Sequence, residues 1–363
     1  MTQEDPGRRL LAAVEAGDPG AAERALDLGA DPDVAGPRGA TALIAAVCRG
    51  DLPLVRLLID RGADAGGRVT LPPPGEAAIR RIEAELGTAL SEAGREALMT
   101  APVMSPASEC SDPGIARLLA GRGAPPEDFE PDMLRQVIGA DRIAPVAITR
   151  EVFESGRAAR FAHANPEPSL EPFWQEQIRT FASGYSAGRQ PFLSGGAACE
   201  PPPVWSFDRF GQSVTRLPDG RWVLIAGEHE DHYDPDFCIY NDVTILDGEG
   251  GVEHYLYPRE VFPPTDFHSA TLLGDAILLI GCLGYKEDRR EGETRVMRLS
   301  LEDLSIARVE TSGNNPGWIH RHRAVLEGGR VVVSGGKLEP GYRDLEGRWA
   351  LEVETWRWAR LED

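Results

Sequence analysis

The segment TALIAAVCRGDLPLVRLLIDRGAD, Thr41 to Asp64, decides the N-terminal fold. Moved back by 33 residues, it lies over RRLLAAVEAGDPGAAERALDLGAD, Arg8 to Asp31. The pairs Gly17/Gly50, Asp18/Asp51, Gly29/Gly62, Ala30/Ala63 and Asp31/Asp64 coincide. Leu43, Ala46 and Val47 recur at helical spacing, and the small Ala45 and Ala46 permit close helix approach. Gly50 is free to take the left-handed conformation that ends a first helix. Asp51 is placed to cap a second helix, whose buried stripe is Leu54, Leu57 and Leu58 and whose end is Gly62. Each period therefore reads as helix, turn, helix.

A third copy follows an interruption. DPGIARLLAGRGA, Asp112 to Ala124, matches DLPLVRLLIDRGA at a shift of 61, one period plus an insert of 28 residues. The first helix of this copy is poor, because Pro102 and Pro106 break it. Within the insert, placed at 67–98, Ile79, Ile82, Leu86 and Leu90 draw an apolar stripe opposite Arg80, Arg81, Glu83 and Glu85. The stripe predicts a helix folded onto its own stack, with a finger that touches a partner as the other reading. The period and the matched positions resemble the ankyrin family. Arg8 and Arg9 stand where that family usually has Thr-Pro, as befits a terminal repeat. The resemblance implies an α-solenoid over residues 1–128 that offers a groove to a protein partner.

The alphabet then changes. The first aromatic residue is Phe129, and all seven tryptophans lie at or beyond Trp174. A second period, of about 55 residues, runs through FGQSVTRLPDGRWVLIAGE, FHSATLLGDAILLIGC and HRHRAVLEGGRVVVSGGK. Pro218-Asp219-Gly220, Gly274-Asp275 and Gly328-Gly329 are hairpin turns between short β-branched strands. YNDVTILDGEGGVEHYLYP, TRVMRLSLEDLSIARVET and WALEVETWRWARL each supply a second hairpin.

Four antiparallel strands per unit, closed by the doublets Ala226-Gly227, Gly281-Cys282 and Gly335-Gly336, resemble a Kelch blade of the galactose-oxidase type. His268-Ser269-Ala270-Thr271 resembles that family's opening strand. The resemblance implies a Kelch-like antiparallel β-propeller region over 201–363, joined to the solenoid by a helical and irregular connector over 129–200. Propellers typically close with about four or more blades, whereas three are readable. Three resolutions are open. Strands hidden in 186–207, where PVWSF is strand-like, would add a blade. A homodimer would complete a six-bladed ring. An open array would be capped by a helix over 171–188, with Phe173, Ile178 and Phe181 on one face.

Blade topology sends the long polar loops to one side. That face gathers His229, Asp231, His232, Asp234, Asp236, Asp266, His268, Trp318, His320 and Arg321 as candidate binding residues. Such a cluster would suit a divalent metal, acid–base chemistry or a sugar, but the plainer reading is a solvated acidic loop with His268 in a blade hydrogen bond. No phosphate-cradling, nucleophile-elbow or zinc motif is present, so no catalytic residue, metal or cofactor is assigned. The superfamily includes copper radical oxidases, yet Cys238 and Tyr240 read more simply as same-side residues of one strand.

The net charge of −20 argues against nucleic acid and anionic lipid. Residues 1–128 carry 13 arginines against 20 acids, a net of −7; such a surface reads first as an ordinary route to solubility and second as one that steers a basic protein partner. Scattered cysteines and the lack of a long apolar run predict a cytoplasmic protein. The expected function is a protein–protein interaction scaffold. The rivals are an enzyme or ligand binder using the His/Asp face, and a bacterial antidote that blocks a basic toxin.

Overall fold

The computed structural model describes residues 5–73, 76–91, 103–190, 192, 202–229 and 234–362. Contacts divide the chain into two units, Met1–Val137 and Ile138–Asp363. Helix and sheet are both present, with an N-terminal helical region and open, largely antiparallel sheets after it.

The helical unit begins with two successive helix pairs: α1 (Pro6–Ala16) with α2 (Pro19–Asp27), then α3 (Ala42–Cys48) with α4 (Leu52–Asp60). The turns follow the repeated residues. Gly17 and Gly50 sit at φ +68° and +67°, a left-handed conformation that costs glycine little. Asp18 accepts from the Ala21 amide at 2.9 Å and Asp51 from the Leu54 amide at 3.1 Å, satisfying amides that the first turn leaves unpaired. Leu10, Val14, Leu43, Val47, Leu54 and Leu58 form the buried stripe. Arg61 donates back to Asp27 at 2.8 Å, and Arg122 donates to Asp60 at the same distance, so equivalent residues tie each repeat to the one before. Both pairs are half-exposed, and each contributes only ~0.5 kcal/mol.

The third repeat keeps its second helix, Pro113–Gly121, capped by Asp112 at 2.8 Å from the Ile115 amide. In place of a first helix stands a turn in which Ser105 and Ser108 exchange amide-to-hydroxyl bonds of 3.0 and 3.2 Å. Just before that turn, Val103–Met104 pairs with Val69–Thr70, so a two-stranded ladder brackets the insert. The insert holds helix Glu76–Leu86, with Ile79 buried and Ile82 half-buried; the Leu86 side chain lies outside the described residues.

The second unit carries helices Arg150–Gly156, Pro172–Thr180 and Gly184–Gly188, then three four-stranded antiparallel meanders. The first sheet is Ser213–Arg216, Trp222–Ile225, Val243–Leu246 and Val252–Leu256. The second is Ser269–Leu273, Ala276–Ile280, Val296–Ser300 and Ile306–Arg308. The third is Arg323–Glu327, Arg330–Ser334, Arg348–Glu352 and Arg357–Leu361. The first turn of each sheet falls where the Gly and Asp signals place it, at Pro218-Asp219-Gly220, Gly274-Asp275 and Gly328-Gly329. Glu167–Pro168 adds a strand outside the first sheet, and Ser312–Gly313 adds a parallel one to the third. The middle sheet is covered on both sides, which is why Ala276–Ile280 is apolar throughout. Ile277 and Leu279 pack with Val223, Ile225 and Ile245, whereas Leu278 and Ile280 pack with Val331, Val333 and Leu351.

Successive sheets are joined by bonds that repeat with the period. The Phe267 amide donates to Gly211 O, and the Arg321 amide to Phe267 O, both at 2.9 Å. Gly227 N to Thr265 O and Cys282 N to Ile319 O form a second matched pair. Ser213 Oγ with His268 Nε2 (2.8 Å) and Ser269 Oγ with His322 Nε2 (2.9 Å) form a third. The packing explains one glycine directly: a Cβ on Gly281 would lie 2.3 Å from Ile319 O of the next unit.

Of the stretch 186–207, one candidate for a further strand, 191 and 193–201 lie outside the described residues and 203–207 forms no strand. Trp205 and Phe207 spend their amides on Arg157 O and Ala182 O, so this segment is stitched to the helices instead of to a sheet. Among the described residues no closed ring of blades forms.

Replacing the cap in Asp51→Ala should cost about 1 kcal/mol, with Asp51→Ser recovering most of it. Hydrogen exchange at the Leu54 amide checks this; unchanged protection in the Ala variant would refute the cap's role.

Candidate functional site

Of the residues expected on an exposed polar face, Asp231 and His232 lie outside the described residues. Most of the others are buried. Burial pushes the His229 imidazole below its usual pKa, although Asp236, 3.4 Å away, pulls the other way. His229 Nδ1 lies 2.9 Å from both Ser206 Oγ and Tyr240 OH. Asp234 is half-buried, its carbonyl closing a turn with the Phe237 amide.

A second group lies where the second sheet meets the third. Asp266 is fully buried and accepts from the Gly284 amide at 2.6 Å; burial raises its pKa against that bond. Trp318 Nε1 donates to Leu283 O at 3.1 Å, under the Arg295 guanidinium. His320, fully buried, has Glu339 at 3.7 Å, and Arg289 reaches the same carboxylate at 3.6 Å. Arg321 is exposed, with its guanidinium stacked on Phe267. His268 belongs to neither group; it is the inter-sheet partner of Ser213. The loops thus fold back over the strand ends and turn most of these polar groups inward.

The most heavily bonded group went unnoticed in the sequence. Arg209 and Asp242 form a buried bidentate pair at 2.5 and 3.0 Å. Arg209 also donates to Ser206 O and Ala226 O, and its guanidinium stacks 4.9 Å from Trp205 and 3.4 Å from Tyr240. Trp205 Nε1 donates to Asp242 at 3.3 Å, and His254 Nε2 stands 3.6 Å away. Burial is the largest single influence and would raise the Asp242 carboxyl, but the Arg209 charge, the nearby His254 and the hydrogen bonds from Arg209 and Trp205 together hold it below the usual range. No local motif announces a pair formed across 33 residues; only the chain's three-dimensional path brings it together.

Beside this pair is a pocket of about 310 Å³, lined by Phe161, Trp205, Cys238, Tyr240, Arg259 and Tyr285 among others. Burial pushes the Cys238 thiol up to about 12 and the Tyr240 phenol well above its ordinary value. Both therefore stay protonated at neutral pH. Among the described residues no group of three His, Cys, Asp or Glu is placed to hold a metal ion.

In the helical unit the exposed candidates lie on α1 and on the loop between the first two repeats. That loop is held open and rigid. Gly36 N donates to Ala40 O at 2.8 Å, Ala35 bridges Thr41, and Asp33 Oδ1 accepts from the Asp64 amide at 2.9 Å. Ala35, Pro37 and Arg38 are thereby presented to solvent, as are Arg8, Ala12 and Glu15 of α1.

A family model described as ankyrin repeat matches residues 38–67, which span the second helix pair and the last residues of the loop leading into it. No curated protein matches this chain. No helix among the described residues is long and apolar enough to cross a membrane.

Two outcomes follow from the sheet unit. Asp242→Asn leaves Arg209 buried without its counter-charge and should destabilise the unit by roughly 3–5 kcal/mol, read by chemical denaturation. A loss within error of zero would show that the pair is solvated.

Burial also lowers His254, His268 and His320 to about 4 and His322 to about 3. They are neutral when folded but bind protons when unfolded below the ordinary value near 6.5. Their contribution is therefore complete above pH ~6.5 and drains away as pH falls toward ~4, on the order of 2 kcal/mol per histidine at pH ~5. Thermal melts across that range, with His268→Gln as the control, should show a shallower slope in the variant. An equal slope would rule out His268 as a contributor.

Proposed function

We propose that this chain is a protein-binding adaptor: the ankyrin-type unit is its docking surface, and the three sheets are Kelch-like blades forming a rigid second platform. Ankyrin repeats generally mediate protein–protein interaction, and the family match supports the same use here. The observation that carries the reading is the repeat-to-repeat tie, Arg61 to Asp27 and Arg122 to Asp60. It recurs at equivalent positions over the buried stripe that packs the helix pairs together, so the side chains on α1 and the loop at Ala35–Arg38 present one preformed surface. A preformed surface loses little conformational entropy on binding. The acidic balance of residues 1–128 favours a basic partner and an association that weakens with salt.

The test compares the full-length chain with the double variant Ala12→Arg and Ala35→Arg, both exposed small positions, as baits in a lysate of its own cells. A protein retained by the parent at low salt should be lost with the variant, while the thermal melt stays unchanged. Equal retention by both baits, or retention indifferent to salt, would overturn the assignment of this surface.

A further inference from the structure

The sheet unit holds a pocket that the adaptor reading does not use. Its walls are aromatic and aliphatic: Phe161, Trp205, Tyr240 and Tyr285 with Ile239 and Leu256. At about 310 Å³ it lies at the small end of the range for small-molecule sites and suits roughly ten to fifteen non-hydrogen atoms. Asp242 also lines it, but its charge is already neutralised by Arg209.

The arginine with spare hydrogen-bond donors is Arg259, although Asp288 offsets part of its charge. Its guanidinium lies 5.8 Å from the Phe161 ring and 5.5 Å from that of Tyr285, which hold it in place. Among the described residues its one hydrogen bond runs from Nη2 to Asp288 at 2.9 Å, leaving Nε–H and Nη1 donors uncommitted. Arg160, the other lining arginine, has Nη1 on Glu167 and Nη2 on Ser169. Glu287, exposed at the rim, disfavours a second negative group.

We propose that this pocket binds a small planar aromatic carboxylate, its ring against Phe161 and Tyr285 and its carboxylate on the uncommitted donors of Arg259. An arginine fork is suited to a carboxylate because two N–H groups can face its two oxygens. The apolar walls supply the non-directional part of the attraction.

Calorimetric titration of the full chain with 1-naphthoate and with its neutral counterpart 1-naphthamide tests this. Naphthoate should bind at millimolar concentration or below, and naphthamide about tenfold more weakly. Arg259→Gln should weaken naphthoate by about the same factor and leave naphthamide unchanged. Ala159→Trp, at an exposed position of the lining, should abolish binding of both, with melting temperature confirming that each variant folds. Absence of heat with either probe would overturn the site. Equal affinity for the two probes would overturn the anionic head, and undiminished binding in Ala159→Trp would place the probes elsewhere.

Discussion

An arginine and an aspartate with almost no exposure, Arg209 and Asp242, are affordable inside a protein only if every charge-bearing atom is answered. Here two guanidinium nitrogens meet two carboxylate oxygens, while Ser206 O, Ala226 O and the Trp205 indole take the remaining directions. Because Arg209 precedes the first sheet and Asp242 opens its third strand, the pair fixes where the incoming chain crosses that sheet. Trp205 then stacks on Trp174 at 5.0 Å, and Trp174 donates to Gly156 O. This stack joins the backbone bonds of Trp205 and Phe207 and the strand Glu167–Pro168 in anchoring the helices before the sheets. Moving the Arg209–Asp242 contact would disturb the aromatic stack, the His254 environment and the lining of the neighbouring pocket together.

Beyond the first sheet, order is propagated by repetition. Each of the two sheet-to-sheet interfaces uses the same backbone bonds and the same serine–histidine bond, displaced by one period. The pattern also marks its own ends. The position of His268 and His322 is Gln212 in the first unit, and that of Ser213 and Ser269 is Arg323 in the third. The outer face of the third sheet carries Arg323, Glu327, Arg330, Arg348 and Glu352, tied by Arg348–Glu327 and Arg330–Glu352. Charge on a terminal sheet opposes the edge and face association that an apolar strand would invite. The helical unit uses the same logic with different chemistry, its Arg–Asp ties recurring from repeat to repeat.

Function follows from what each unit leaves unspent. In the helical unit the buried stripe and caps absorb the repeated residues, so the variable ones (Arg8, Ala12, Ala35, Arg38) are free to meet a partner. In the sheet unit most of the polar loop residues are consumed internally. Histidines that looked available for a ligand instead close the joints between sheets or sit beneath folded-back loops. Among the described residues, donors without partners remain on Arg259 at the aromatic pocket, whose lining residue Tyr240 also bonds His229.

Much was legible from sequence because it is local. A 33-residue period with Gly and Asp at its turns specifies capped helix pairs, since capping and left-handed turns depend on neighbours a few residues apart. Gly-Asp and Gly-Gly between β-branched runs likewise specify the first hairpin of each sheet, whereas the second hairpins of the second and third sheets turn at 301–304 and 353–356 without a glycine. The third repeat's missing helix was readable too, from Pro102 and Pro106. What only the tertiary structure decided is which polar groups face water. Val204–Phe207 has a strand's composition but bonds to Arg157 and Ala182, and the acidic loop residues Asp236 and Asp266 are drawn inside. Composition sets what a side chain costs to bury; whether a partner arrives to offset that cost depends on contacts such as Arg209 with Asp242, made between residues far apart in the chain.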